Sequence, residues 1–431
     1  MGQFLKFSKN TFFTQILNLI VVGGTTIFIA RVLGPKGQGE AALLLFIPNI
    51  ALVFGQIGMM YATNYFAGKV SDEKNSLNGL TLSIFLGLLT MLVSVIAVST
   101  LHKVFFKGVS YKLLFIMSLS VPVFFVLTEL TAIMQSRYKI NERNTIALAQ
   151  PVFFLFLIFI FIGYFKMGVV GMVLAWFFSL VCAILLAFYL VLKGVRLKME
   201  DFDIGLIKDM CFFGAKAHFG NIFKQLTYRG DYLLLNYFSN ETAVGFYSIA
   251  VKIAEIIWKI PDAIGTVLLS RNAKSNSVEA AGFTSMICRM LLIPLIIISA
   301  LLIFFAKNII IFVFGPAYIQ SYFPLVLLLP GIIVFAIWKI LTADLIAHGH
   351  AIKYSISSIV GCVSMLALDI FLIPLYGING ASIGSTLSYL AATIVVVVMY
   401  TKHNNVSVRS MLIPTRPDIQ KFRNAYKQLW S

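Results

Sequence analysis

Apolar stretches of about twenty residues recur from one end of the chain to the other, separated by short polar connections. A helix rises about 1.5 Å per residue, so each stretch is long enough to cross a hydrocarbon core of about 30 Å. Twelve crossings are predicted, at residues 12–33, 41–62, 77–101, 113–134, 146–165, 170–192, 213–237, 243–269, 286–306, 322–346, 354–374 and 377–400. The longest connection, KGVRLKMEDFDIGLIKDM at 193–210, is strongly charged, and none of the connections has room for a soluble catalytic domain. The pattern predicts an all-α polytopic membrane protein. Lys6 and Lys9 precede the first apolar run as they do in a signal peptide, but the run is too long for a signal core and lacks a clear cleavage site. It is expected to be a retained first membrane helix.

Composition agrees. Of 431 residues only 12% are charged, against about a quarter in soluble domains, and Phe occurs 39 times. The formal net charge of +17 does not indicate nucleic acid, because the basic residues flank apolar spans and form no patch interleaved with aromatics. Their distribution instead predicts orientation. With the N-terminus inside, and with the span-end residues Arg31 and Arg289 counted in the adjacent connections, the inner segments hold 21 of the 34 Lys and Arg, the outer loops 7, and the spans the other six. Both termini are therefore expected in the cytoplasm. The four cysteines (Cys182, Cys211, Cys288, Cys362) have no paired or metal-ligand spacing and read as small apolar packers.

The chain also looks doubled. GVVGMVLAWFFSLVCAIL from Gly168 and GINGASIGSTLSYLAATI from Gly377 both open with G-x-x-G between the last two spans of a half. FSKNTFFTQILN from Phe7 and FGAKAHFGNIFK from Phe213 begin the halves at a similar offset. Six spans per half is even, so the repeats are parallel and a substrate site between them is expected. The predicted divisions are an N-terminal six-helix lobe at 1–195, a cytoplasmic linker at 196–212, a C-terminal six-helix lobe at 213–402 and a cytoplasmic tail at 403–431.

The candidate chemistry lies in charges inside the membrane. Lys216, Lys224, Arg229, Lys252, Lys259 and Lys339 fall within spans, as do Glu129, Asp231, Glu255, Asp262, Asp344 and Asp369. Each costs about 2.5–3.5 kcal/mol at the bilayer centre even on a lenient scale, so they must face each other or water. Lys216 and Asp344, near helix ends, are expected to snorkel. At 100° per residue, Ser248, Lys252, Glu255, Lys259, Asp262 and Thr266 share one face of the eighth span. His218, Asn221, Gln225, Tyr228, Arg229, Tyr232 and Asn236 form a matching stripe on the seventh. The first span adds Thr11, Gln15, Asn18 and Thr25, and the second Asn49, Gln56 and Thr63. Arg229 and Lys252 fall at similar depth, and Lys259 and Lys339 both lie inward of centre, giving a ladder of cations.

Two readings compete. The eighth-span charges either line a wet, dominantly cationic groove for an anionic substrate, or neutralise one another along the helix as a packing seam. Asp231 points away from Arg229, and Lys224 and Asp231 are candidates for structural pairs. Asp369 is the expected partner of Arg229 or Lys252. The acids Asp369, Asp231, Asp262 and Glu129 either balance charge or bind a coupling H+ or Na+; Glu129 has no assigned partner. Tyr228 and Tyr232, with Tyr247 and Trp258, offer flat faces suited to sugar rings or to helix packing. The candidate substrate-binding set is Arg229, Lys252, Lys259, Lys339, Gln225, Tyr228, Tyr232 and Glu255. No catalytic residue, metal site or cofactor is expected.

Several stretches carry a resemblance across almost the whole chain. ARVLGPKGQGEAALLLFIP, VGFYSIAVKIAEIIWKIPDAIGTVLLSR, FGPAYIQSYFPLVLLLPGIIVFAIWKILTADLIAHGH and LALDIFLIPLYGINGASIGSTLSYL resemble the polysaccharide flippases of the Wzx type. Their superfamily also contains the multidrug and toxin extruders and the lipid II flippases. The resemblance implies twelve transmembrane helices in two six-helix lobes around a central cavity, working by alternating access. It implies translocation of an undecaprenyl-pyrophosphate-linked oligosaccharide across the bacterial cytoplasmic membrane for surface polysaccharide such as O-antigen. Membrane lipid and other polysaccharide assembly proteins are the implied partners. Asp369 departs from the family's usual neutral Asn. The alternative is an ion-coupled multidrug or small-molecule extruder of the same superfamily, but a cationic cargo favours acids over six membrane bases. A glycosyltransferase or polymerase needs a large outer loop with catalytic acids, and the sequence offers none.

Overall fold

The computed structural model describes residues 2–193 and 198–413, so residues 196–197 of the expected linker and 414–431 of the expected tail lie outside the described residues. Helix dominates throughout, and the described residues form no extended strand. The first helical run, Gly2–Gly55, spans 54 residues, roughly 80 Å at 1.5 Å per residue and far more than one crossing. It breaks at Gly34 (φ 68°), followed by Pro35, which divides it into the first and second spans. A positive φ there is open to glycine without a Cβ clash. The second span breaks again around Ile57 (φ 47°) and Gly58 (φ 69°) and resumes as Met59–Phe66.

Asp72–Phe105 is the third span, capped by the Ser71 hydroxyl, which accepts from the Lys74 N–H. Tyr111–Leu119 and Val121–Ser136 form the fourth, Ile140–Ile158 with Phe159–Tyr164 the fifth, and Gly168–Leu192 the sixth. Ile204–Phe238 is the seventh span, and Glu241–Ile256 with Lys259–Asn272 the eighth. Ser277–Phe314, Tyr322–Ala347, Ala351–Tyr376 and Ile378–Asn404 complete the series. Among the described residues nine helices are long and apolar enough to cross a membrane. The first of these, Phe13–Gly55, covers two crossings, and the two remaining members of the twelve, the seventh and eighth spans, are the ones loaded with charge. Side chains such as Phe304 and Phe312, 78% and 82% exposed, present the apolar outer faces expected of a multi-pass membrane protein.

The chain forms two compact units, residues 1–222 with 240–245, and residues 223–239 with 246–431. In the first, the fifth and sixth spans pack together and the third packs on the fourth. Trp176 locks this core, its indole N–H donating to the Ser120 hydroxyl (3.3 Å) and its ring meeting Phe124 and Phe154 edge-on. In the second, the twelfth span packs between the tenth and the eleventh. The two G-x-x-G segments make the same turn in their separate units. Gly168 (φ 60°) and Gly377 (φ 56°) adopt left-handed conformations. Gly171 and Gly380 then lie so close to the Phe161 and Leu372 carbonyls that a Cβ would sit 3.1 and 2.1 Å from the oxygens.

The charged connection before the seventh span is tied to the third. Lys74 pairs with Asp203 (2.7 Å), and Asn78 bonds both the Asp201 carbonyl and the Asp203 N–H, each at 2.8 Å. Asp203 also caps the seventh span through the Gly205 and Leu206 N–H groups. Lys74 first, and then these amides, hold its carboxyl below the usual carboxylate range. The cysteines described are unpaired thiols.

Candidate functional site

The eighth span is not the continuous helix that a single 100° stripe assumes. Pro261 has no N–H to donate to the Ile257 carbonyl. The chain tightens at this point, with Ile257, Trp258 and Ile260 N–H groups each bonding three residues back. Lys252 and Glu255 therefore sit on one helix segment, Lys259 and Asp262 on the next.

Two cation clusters result, both in the second unit. In one, Arg229 grips Glu255 with both guanidinium nitrogens, Nη1 to Oε1 at 2.9 Å and Nη2 to Oε2 at 2.8 Å. Arg229 also donates to the Tyr228 carbonyl and lies over the Tyr232 ring (5.6 Å). Lys252 is within Coulombic reach of both Arg229 and Glu255. The pair is partly open, the side chains 36% and 21% exposed. In the other, Lys339 pairs with Asp262 at 2.6 Å, its ammonium 4.6 Å from the Trp258 ring and 5.5 Å from the Tyr228 ring. Lys224 and Lys259 are within Coulombic reach of this cluster. Gln225 is half-buried on the seventh span beside it in sequence.

The expected pairings need correction. Glu255 and Asp262 reach across to the seventh and tenth spans, to Arg229 and Lys339, instead of pairing along their own helix. Asp369 partners neither Arg229 nor Lys252. It is fully buried, both carboxylate oxygens lack a hydrogen-bond partner among the described residues, and Gly384 approaches so closely that a Cβ would sit 2.1 Å from Oδ1. Asp231 is nearly as buried and pairs with no lysine here; it accepts from the Tyr247 hydroxyl (2.6 Å) and the Ser385 hydroxyl (3.3 Å). Asp344 does not snorkel. At 3% exposure it accepts from Asn272 and Tyr400, both at 2.5 Å, and lies 3.3 Å from His348 Nδ1. Ser248 is fully buried, so it does not reach water as the stripe suggests. Tyr232, 4% exposed against Tyr247, keeps no open face, whereas Tyr228 is half-buried. Glu129, in the first unit, accepts from Thr63.

Sequence reasoning also missed the aromatic cage around Lys339. Tyr228 meets Phe335 edge-on and Trp258 meets it at a tilt, while Phe335 stacks on Trp338 and packs at a tilt on Tyr389. Phe335 lies four residues before Lys339 on the same helix face, which is the signal that was available.

A bundle of long apolar helices with charge concentrated on two of them, among the described residues, defines a polytopic membrane protein. A model of the family described as "Polysaccharide biosynthesis protein" matches residues 28–323. A Shigella flexneri protein named "Putative O-antigen transporter" is 24% identical over 403 residues, covering 87% of this chain and 92% of its own length. The chain belongs to the polysaccharide biosynthesis protein family. The fold is shared with solved transporters. An inward-facing multidrug resistance transporter of the multidrug, oligosaccharidyl-lipid and polysaccharide exporter superfamily superposes with TM-score 0.75 at 19% identity, covering 90% of this chain and 94% of that one. The lipid II flippase MurJ, in an inward closed conformation, superposes with TM-score 0.74 at 17% identity, covering 94% and 89%.

Proposed function

We propose that the protein flips an undecaprenyl-pyrophosphate-linked oligosaccharide from the cytoplasmic to the outer face of the bacterial inner membrane. On this reading it works by alternating access between the lobes at 1–195 and 213–402, with both termini cytoplasmic. The observation that carries the reading is the charge balance of the two clusters. Among the described residues Arg229, Lys252, Lys224, Lys259 and Lys339 lie within reach of Glu255, Asp262 and, beside Arg229, Asp231, five cations against three carboxylates. An excess of two positive charges on membrane helices suits a pyrophosphate head group that must cross while its polyprenyl tail stays in lipid. Arg229 supplies the planar fork that holds two phosphate oxygens at once, and the lysines act as point charges. Phosphate oxygens displace the Glu255 carboxylate from a geometry it already occupies.

Asp231 and Asp369 are the proposed coupling groups. Asp231 has Arg229 within reach, whereas Asp369 is buried beside Asp231 with no hydrogen-bond partner among the described residues. Two buried carboxylates sharing one cation favour a proton or a metal cation, and H+ or Na+ is the proposed coupling ion. Other polysaccharide assembly proteins are proposed partners, and no cofactor is invoked.

The test is a deletion strain complemented with wild type, Arg229→Ala or Arg229→Lys, with lipid-linked glycan on each membrane face quantified. Glycan is expected to accumulate on the inner face with Arg229→Ala and to be partly relieved with Arg229→Lys. Wild-type export in Arg229→Ala, with the protein normally inserted, would overturn the assignment.

A further inference from the structure

The first unit holds a buried carboxylate that the cation clusters leave unused. Glu129 is fully buried in the fourth span. Its Oε1 accepts from the Thr63 hydroxyl at 2.5 Å, and its Oε2 has no hydrogen-bond partner among the described residues. Asn75, 3% exposed on the third span, spends its amide N–H on the Thr63 carbonyl (3.0 Å), and its Oδ1 is likewise orphaned. Gly79, one turn further on, presses against both, since a Cβ there would sit 2.5 Å from Glu129 Oε1 and 3.4 Å from Thr63 Oγ1. Three spans thus converge on one small cluster with two buried acceptors that lack a hydrogen-bond partner among the described residues.

The charged groups on the surrounding elements are engaged elsewhere or lie beyond the cluster. Arg137, past the end of the fourth span, pairs with Asp72 at the start of the third (3.0 Å), and Lys74 pairs with Asp203. Arg143 donates to Asn144 on the fifth span. Lys69 lies in the turn after Met59–Phe66, and Glu73 and Glu142 lie in the first turns of their helices. A bare carboxylate facing one hydroxyl donor at zero exposure is costly by several kcal/mol even after relaxation. A hard metal cation gathers about six oxygens, more than two orphaned acceptors provide. One proton removes the charge and supplies the missing donor.

We infer that Glu129, with Thr63 and Asn75, is an exchangeable proton-binding site whose occupancy favours the closed position of the Met59–Phe66 segment. Thr63 is carried on that segment, which is a separate piece of helix. It begins after Ile57 (φ 47°), a β-branched residue in the left-handed region and therefore strained. Its first turn packs on the seventh span, where a Cβ on Gly58 would sit 2.3 Å from the Gly214 carbonyl oxygen, and His218 Nε2 lies 2.7 Å from the Val53 carbonyl oxygen. When Glu129 is neutral the segment seats against it without desolvating a charge. When the proton leaves to solvent, the carboxylate needs water, which only displacement of Thr63 admits. Proton binding and closure favour each other by linkage. The consequence for transport rests on the proposed flippase reading, but the site itself does not.

Infrared spectra of the purified full chain test the site directly. Wild type is expected to show the C=O stretch of a buried protonated carboxylic acid that fades as pH rises, and Glu129→Gln to lack it. The pH at which the band fades is expected to move in Thr63→Ala, which keeps the carboxyl and removes its one donor. A band unchanged in Glu129→Gln, or an unmoved midpoint in Thr63→Ala, overturns the inference. The second variant serves if the first fails to fold. In vesicles, Glu129→Gln is expected to flatten the dependence of flipping on inner pH. A wild-type band with no movement of lipid-linked glycan refutes the transport reading alone.

Discussion

At the scale of single residues, Arg229 and Glu255 determine what the second unit offers a ligand. Their bidentate pair has the geometry by which a guanidinium holds two oxygens of a phosphate, so Glu255 competes with the proposed cargo. Glu255→Gln is therefore expected to tighten binding of inorganic pyrophosphate to the purified protein, and weaker binding would contradict that competition. Arg229→Lys keeps the charge and loses the fork. At about 1.5–3 kcal/mol per charge-assisted hydrogen bond, it should weaken pyrophosphate binding by roughly ten- to a hundredfold, and Arg229→Ala further. Removing Arg229 alone strands a half-buried Glu255, so the double variant Arg229→Ala/Glu255→Gln is the control. Recovered thermal stability with binding still lost assigns the arginine to the ligand; recovered binding would return the pair to packing. The sequence placed both residues on polar stripes of adjacent helices. It did not pair them, because rotation about each helix axis is set by tertiary packing, which spacing along one chain does not encode.

At the scale of elements, the break at Ile257–Trp258 separates what one helical wheel had merged. Charges spaced at threes and fours made the eighth span legible as amphipathic, and Pro261 was in plain view. The wheel nevertheless extended a regular helix through a proline. The correction changes an accessibility pattern that can be measured. In a cysteine-free background, single cysteines at Glu255 and Lys259 are expected to react with a small water-soluble thiol reagent. Cysteines at the fully buried Ser248 and at Ile253, 6% exposed, should stay unlabelled. Equal labelling at all four positions would remove the reading of a one-sided polar wall. The second span shows the converse. Gln56 and Thr63 were read as a mild stripe, and these two reach the fourth span, Gln56 to Thr128 at 2.6 Å and Thr63 to Glu129. Glu129 had no visible partner in the sequence because its partner is a neutral hydroxyl sixty-six residues away, a contact that charge pairing does not anticipate. Asp344 was misread for a similar reason. Its position near a helix end suggested escape to water, but Asn272 and Tyr400 close over it.

At the scale of the whole molecule, ten of the twelve expected crossings lie in the nine apolar helices among the described residues, because hydrophobic length is a strong, local signal; the charged seventh and eighth carry it more weakly. Their orientation rests on two arguments of different kinds. The first is the excess of Lys and Arg in alternate connections, 21 against 7. The second is structural and independent of that count. Asp201 and Asp203, just before the seventh span, are hydrogen-bonded to Asn78 and ion-paired to Lys74 in the first two turns of the third span. The start of the third and the start of the seventh must then lie on the same side of the membrane, as an even number of crossings between them requires. The charged stretch at 198–210 thereby lies on the same face as the charged 63–76 connection. Reporter fusions within 193–210 and after Lys402 are accordingly expected to report the cytoplasm, and one within 307–321 the opposite side. Asp203→Ala removes both the cap and the tie to Lys74, and is expected to loosen the seventh span's first turn without inverting it, since charge excess alone still sets the side. An outside signal from the 193–210 fusion in wild type would refute the topology, and with it the parallel relation of the two halves.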